Sequence, residues 1–562
     1  MNVCKKALQK AARTVSMADQ GIRRDEPGEV PKQFENEQAS AETSTVMNVL
    51  GYGPHIRQAR IEAYRASDRH MTAETRGSLT WITTGSKAEG LTSYWESDRD
   101  VLIVTESVIC LEDGVDSSSF PVETTIFRSC SRISYSGHCR LLLERNGTRV
   151  LNLVYNALCD DGFGRGLLSS GLYVNQFLNG QLMEGIVQHE RAGPSTSTTN
   201  GVLKRDTVYA LHFYCPSILT RWAARHRYWP SADVVREVVS LGAFVSPVGV
   251  KGSDYEHVEW RMCFNTGENV LINNLNDTQV KLYVLLKMVK KDVLQPQKKE
   301  VTSFTVKNIV LWIAENNPHS LFHERSLFHW LHEGLYALRV AIDTKELPYY
   351  MIPGRNLMAA CALDHEQKRS WIATIDEMMT EGPRMILRLP KIRQAIIAHP
   401  EPLRWYSGRR IETEMLMLIR MNRVTLGMDH ETDVIMQAVE SRQKEVVREV
   451  RMRMLMEGAR VNDIRNVLIK MELLWLICMN RMALGMDKET DVIMQAVRRR
   501  QSEIGMDVIM NMMMEGGRVN NHRNVWTSLT WIGNDDDDDD DYDDYDDDDY
   551  EDHDDDEHDD FL

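Results

Sequence analysis

The chain lacks any run of about 18 consecutive apolar residues, so no stretch of it reads as a membrane-spanning helix. Its opening residues, MNVCKKALQKAARTV, lack the apolar centre of a secretion signal and read as a plain basic amphipathic helix. Its nine cysteines include no C-x-x-C pair, which removes the common zinc spacings and any disulfide framework. Reduced thiols in the cytoplasm or nucleus fit that usage. Lys and Arg are missing from one end altogether: Asp535 to Asp560 holds 21 acidic side chains and no basic one. That segment outweighs the whole net charge of -17, so the remainder is mildly basic, at about +4. The acidic total therefore does not exclude a nucleotide or nucleic-acid ligand.

What is present is ordinary for a globular protein. Hydrophobic residues make up 43% and charged residues 27% of 562 positions, enough for two or three domains with substantial cores. Residues 1–45 are polar and read as a weak helix and a flexible linker. From Thr45 to His70 the pattern is helical, and its polar side, with Arg57, Arg60, Arg65 and Arg69, is either a solvated face or a phosphate-backbone contact. Short strands follow to about Val150: TWITT, DVLIV, ICLEDG, SCSRISY and CRLLLE. A Ser/Thr/Gly-rich stretch, AGPSTSTTNG, reads as a loop before another strand, KRDTVYALHFYCP.

The stretch WITTGSKAEGLTSYWESDRDVLIV, Trp81 to Val104, concentrates the chemistry. Gly85-Ser86 gives a turn whose backbone can approach a phosphate, with a hydroxyl and free N–H groups as donors. Asp98 and Asp100 lie two apart at the head of an apolar run, so in a strand they share a face. Converging carboxylates repel unless a cation lies between them, and hard oxygen donors suit Mg²⁺ or Mn²⁺. Asp206 opens a second apolar strand in the same manner as Asp100.

Gly-Ser, a loop, D-x-D, and a distant third aspartate in Asp206-Thr207-Val208-Tyr209-Ala210-Leu211 resemble the nucleotidyltransferase signature of the cyclic GMP-AMP synthase (cGAS) and Mab-twenty-one (male-abnormal) families. The resemblance continues through WAARHRYWP, AFVSPVG, EWRMCFNTGENVLI, KLYVLLKMVKK, VTSFTVKNIVLWIAENNP and LPYYMIPGRNL, covering roughly residues 45–389. It implies an α+β, two-lobed nucleotidyltransferase. A twisted mixed-sheet lobe would span residues 46–255, and a helical lobe of helix-hairpin-helix/H2TH-like type residues 256–400. Two metal ions, Mg²⁺ or Mn²⁺, would be held by Asp98, Asp100 and Asp206 as catalytic ligands. Gly85, Ser86, Arg261, Glu268, Lys287, Ser303 and Phe304 would bind the nucleotides, Phe304 giving a stacking face where the best-known relative has tyrosine. The implied activity is metal-dependent synthesis of a cyclic dinucleotide from nucleoside triphosphates, ATP and GTP, under activation by double-stranded RNA or another nucleic acid in innate immune signalling. The alternative is a catalytically inactive Mab-twenty-one scaffold for interaction or nucleotide binding in development.

One departure stands out. The interval between Glu268 and Lys287 contains no Cys or His, so the zinc thumb of vertebrate cGAS has no counterpart and the likeness is to an invertebrate-type cGAS-like receptor or a Mab-twenty-one protein. A basic loop, Lys290, Lys291, Lys298 and Lys299 around Pro296, reads as solvated or as touching a nucleic-acid backbone. Residues 401–530 form a Met-rich helical region with an internal duplication: Met421–Glu445 recurs as Met479–Glu503, and the segment from Met454 recurs from Met512. Residues 534–562, nearly all Asp, cannot build a core and read as disordered.

Overall fold

Two apolar, β-branched runs, Val101–Val104 and Thr207–Leu211, lie side by side as parallel strands at the centre of a mixed sheet in the computed structural model. The structure describes residues 34–457, apart from residues 133, 149–151, 179–185, 201–202, 295–299 and 426–429. The fold class is α+β. The strands are β1 (Leu79–Thr83), β2 (Arg99–Leu111), β3 (Thr125–Cys130), β4 (His138–Arg145), β5 (Leu158–Asp160), β6 (Gly166–Leu168), β7 (Val187–Ala192), β8 (Ser195–Asn200), β9 (Leu203–Tyr214), β10 (Ala243–Ser246) and β11 (Glu259–Cys263). The ladder runs β1-β2-β3-β4-β11-β10-β9-β8-β7, and β2 also pairs with β9, which closes six of the strands into a ring.

The helices used below are α1 (Glu37–Met47), α2 (Pro54–Glu74), the short α3 (Gly85–Ala88), α4 (Asn265–Asn273), α5 (Asp277–Val289), α6 (Ser303–Asn316), α7 (Leu327–Thr344), α8 (His365–Glu381), α9 (Leu403–Thr425) and α10 (His430–Met456). Their ends follow local chemistry. Asn276 and Gln279 cap α5 reciprocally, each side chain accepting the other's backbone N–H at 2.9 Å. Thr302 and Asp364 cap α6 and α8 by accepting from Thr305 N and Gln367 N. Gly334 lets α7 press against α5, because a Cβ there would meet Leu286 Cδ1 at 2.7 Å. One continuous core runs from Val46 and Val108 through Trp260 to Leu285, Ile309 and Leu338, tying sheet and helices together.

Several expectations are revised. The linker expected to reach residue 45 ends sooner: α1 is helical and carries buried Ser40 and Ser44, which bond Phe328 N and Lys281 Nζ. DVLIV and ICLEDG share the single strand β2. The Ser/Thr-rich stretch expected as a loop is β8, because its residues find strand partners from Ser195↔Val208 to Asn200↔Leu203. The sheet reaches Cys263, beyond the boundary expected at 255. Arg57 and Arg60 do not face solvent: both are buried on the inner side of α2, leaving Arg65 and Arg69 exposed. Lys290 is buried as well, while Lys298 and Lys299 lie outside the described residues. The second copy of the duplication and the Asp-rich tail also lie outside them. No helix among the described residues is long and apolar enough to cross a membrane.

Candidate active site

Strand alternation builds the acid pair. On β2 and β9 the residues of one parity, Leu102, Val104, Val208 and Ala210, form a small buried cluster with Phe244. Asp100 and Asp206 have that same parity and lie in direct parallel register, Asp100↔Asp206, at the head of the two strands. They therefore project from one face, and both are buried, at 5% and 2% exposure. Asp98, one step before β2, is held by Lys204 of β9, Nζ to Oδ2 at 2.9 Å. Burial pushes the Asp98 carboxyl up from its ordinary value, Lys204 opposing the shift and the charge of Asp206 adding to it.

This donor set has the chemistry that Mg²⁺ and Mn²⁺ take, hard carboxylate oxygens on adjacent strands. Its arrangement is two aspartates side by side with the third engaged by a lysine. Among the described residues no group of three His, Cys, Asp or Glu side chains is placed to hold a metal ion. Asp98 would have to exchange Lys204 for an ion before all three could bind it.

The Gly-Ser turn stands next to Asp100. Thr84 N donates to Asp100 O at 2.9 Å, and Gly85 then takes φ +62°, a left-handed conformation that glycine adopts without a Cβ clash. Ser86 follows in α3, and Lys287 Nζ of α5 donates to its Oγ across 201 residues of sequence. A hydroxyl and an ammonium are thus paired at the turn, the donors that a polyphosphate accepts from. Lys87 points the other way, buried against Ser93 O and Tyr94 O, and burial lowers its ammonium to about 8.

Beside the turn opens a cavity lined by Thr84, Gly85, Arg261, Glu268, Phe304, Lys307, Tyr349 and Arg355 among others. Phe304 offers a ring 5.5 Å from that of Tyr349. Glu268 is turned inward, accepting from Tyr349 Oη at 2.6 Å and lying 3.6 Å from Lys307 Nζ. Lys307 also pairs with the wholly buried Glu89 at 2.9 Å. Arg261 of β11 is in register with His138 of β4. Burial first, then the charges of Arg355 and Arg261, lower the His138 imidazole to about 3, so it is neutral beside the two guanidinium groups.

The structure thus brings Gly85, Arg261, Glu268 and Phe304 to one cavity; Ser86 and Lys287, bonded to each other, and Asp100 and Asp206, which share a sheet face, are not among its lining residues. Ser303 is not among the cavity residues: it is buried at the start of α6, and its Oγ makes no hydrogen bond. Lys307 is buried and ion-paired. Lys307, Tyr349, Arg355 and Lys204 were not among the expected site residues. Helical spacing could have flagged Lys307, one turn from Ser303, and strand alternation could have flagged Lys204, two before Asp206.

No curated protein matches the chain. Residues 278–376, which include α6 and α7 and most of α5 and α8, match the family model described as the Mab-21 protein HhH/H2TH-like domain. That helical stretch, whose α5 and α6 carry Lys287, Phe304 and Lys307, is a Mab-21 family domain within the chain.

Proposed function

We propose that the protein is a cGAS-like nucleotidyltransferase that joins two nucleoside triphosphates, ATP and GTP, into a cyclic dinucleotide. In each of two rounds a ribose hydroxyl attacks an α-phosphorus. A P–O bond forms, the bond to the β-phosphate oxygen breaks, the hydroxyl proton is lost to solvent, and pyrophosphate leaves. Mg²⁺ or Mn²⁺, held by Asp100 and Asp206 and by Asp98 once Lys204 yields it, would lower the pKa of the attacking hydroxyl and neutralise the leaving pyrophosphate. Ser86 and Lys287 bind the polyphosphate, Phe304 stacks a base, and Arg261 and Arg355 meet acceptor atoms of base or phosphate. Little covalent participation is asked of the protein, since positioning and charge stabilisation carry such transfers.

The observation that carries this reading is the strand register of Asp100 with Asp206 directly beside the Gly85-Ser86 turn. Activation by double-stranded RNA or another nucleic acid belongs to the same reading. The exposed Arg65 and Arg69 of α2 are its candidate contacts, since Arg57 and Arg60 are buried.

A second reading, a catalytically inactive Mab-21 scaffold, is favoured by one observation: Asp98 is tied to Lys204. Purified protein incubated with labelled ATP and GTP, Mg²⁺ or Mn²⁺ and a panel of double-stranded nucleic acids separates the two. A cyclic product made by the wild type and not by Asp206→Asn supports the enzyme. Absence of product under every condition, where a control synthase makes it, leaves the scaffold.

A further inference from the structure

Residues 89–98 join the Gly-Ser turn to Asp98 and Asp100, and they contain neither helix nor strand. A segment without its own ladder takes its conformation from what holds it, and here much of the hold comes from α9, beyond the matched domain. Glu414 of α9 accepts both arms of Arg60 of α2, at 2.8 and 2.7 Å, with both side chains almost wholly buried. Its Oε1 also accepts from Tyr94 N at 3.0 Å. The Arg60 fork turns back to Gly90 O and Gly51 O. Two residues after Tyr94 in the loop, Glu96 receives Lys391 at 2.6 Å and Arg410 of α9 at 3.3 Å. Tyr94 is sealed against Tyr64, Met417 and Leu418.

We infer that Glu414 is a positioning residue for the triphosphate site. Through Tyr94 N and Arg60, with Arg410 on Glu96, α9 fixes the loop that sets the distance from Ser86 to the aspartate pair. The segment after residue 400 is therefore part of the nucleotide site's support. Two buried charges in a bidentate pair are costly to place and costly to break, so the pair favours one loop conformation over its alternatives. The loop's backbone is tied at Gly90 and Tyr94 and its side chain at Glu96, so it is held in place before any nucleotide arrives. This inference rests on the proposed nucleotidyltransferase reading for its ligand.

The test uses the full chain with Glu414→Gln, which keeps an acceptor for Tyr94 N and removes the charge. Arg410→Met, at a half-buried position, is the milder second variant should Glu414→Gln fail to fold. Hydrogen exchange of peptides covering 89–98, and of β2 and β9 as internal controls, is measured well below each variant's melting temperature. Fluorescent ATP with Mn²⁺ is titrated under the same conditions. The expected result is at least about tenfold faster exchange in 89–98 with the strands unchanged, and a loss of about tenfold in ATP affinity for Glu414→Gln. A lowered melting temperature with unchanged loop exchange and unchanged affinity would make Glu414 merely structural and overturn the inference. Should the wild type bind no nucleotide, the proposed function falls, and the exchange measurement alone decides whether α9 holds the loop.

Discussion

His138 offers a pH dependence whose sign and size follow from its surroundings. Its side chain is buried beside Arg261 and Arg355, and its pKa is lowered from 6.5 to about 3, burial contributing most and the two arginines the rest. As pH falls below 6.5 the unfolded chain takes up a proton at this position while the folded protein refuses it. Stability is therefore lost progressively between pH 6.5 and about 3. At pH 5 the imidazole contributes a loss of about 2 kcal/mol, from roughly 1.5 pH units at 1.36 kcal/mol each. His138→Gln removes that contribution. Denaturant unfolding of wild type and variant at pH 7.5 and pH 5.0, followed by tryptophan fluorescence, gives the difference between the two slopes and cancels the other histidines. A wild-type loss exceeding the variant's by about 2 kcal/mol agrees with the placement of the ring. Equal losses would mean that His138 is solvated and that Arg261 and Arg355 do not crowd it.

Arg57→Met should cost about 3 kcal/mol or more in the same assay. It leaves Glu89 O, Ile272 O and Asn273 Oδ1, now 2.7–3.1 Å from the guanidinium, without their charged donor. A change under about 0.5 kcal/mol would contradict the buried placement. Gly334→Val should cost about 1–3 kcal/mol by forcing α7 away from Leu286, read as a lower urea midpoint at unchanged slope. Lys287→Met should weaken binding of nucleoside triphosphate by about tenfold or more and binding of the nucleoside by little, since the proposed function sets its ammonium, now on Ser86 Oγ, against phosphate. Equal effects on both ligands would remove Lys287 from the phosphate site.

Local pattern made much of the frame legible. The apolar heads of β2 and β9, each opened by an aspartate, were visible as runs. What failed was anything decided by partners far along the chain. Arg57 and Arg60 read as a polar helix face, yet carbonyls of residues 51, 89, 90 and 272 and the carboxylate of Glu414 take them inside. The Ser195–Asn200 stretch carries loop residues but becomes a strand because β9 supplies its hydrogen-bonding edge. Lys204 looked like any lysine before a strand, and only the β2/β9 register sets it against Asp98. Arg355 and Tyr349 reach the cavity from a segment some 40 residues beyond Lys307, at a distance no periodicity encodes.

In the proposed mechanism Asp206, beside Asp100 on one sheet face, holds a divalent ion against a triphosphate bound at Ser86 and Lys287. Calorimetric titration of a non-hydrolysable ATP analogue into the full-length protein, with and without Mn²⁺ and in wild type and Asp206→Asn, measures this directly. Mn²⁺-dependent binding by the wild type, lost in Asp206→Asn, is the expected result. Binding of equal strength in both proteins, or binding indifferent to Mn²⁺, would contradict it.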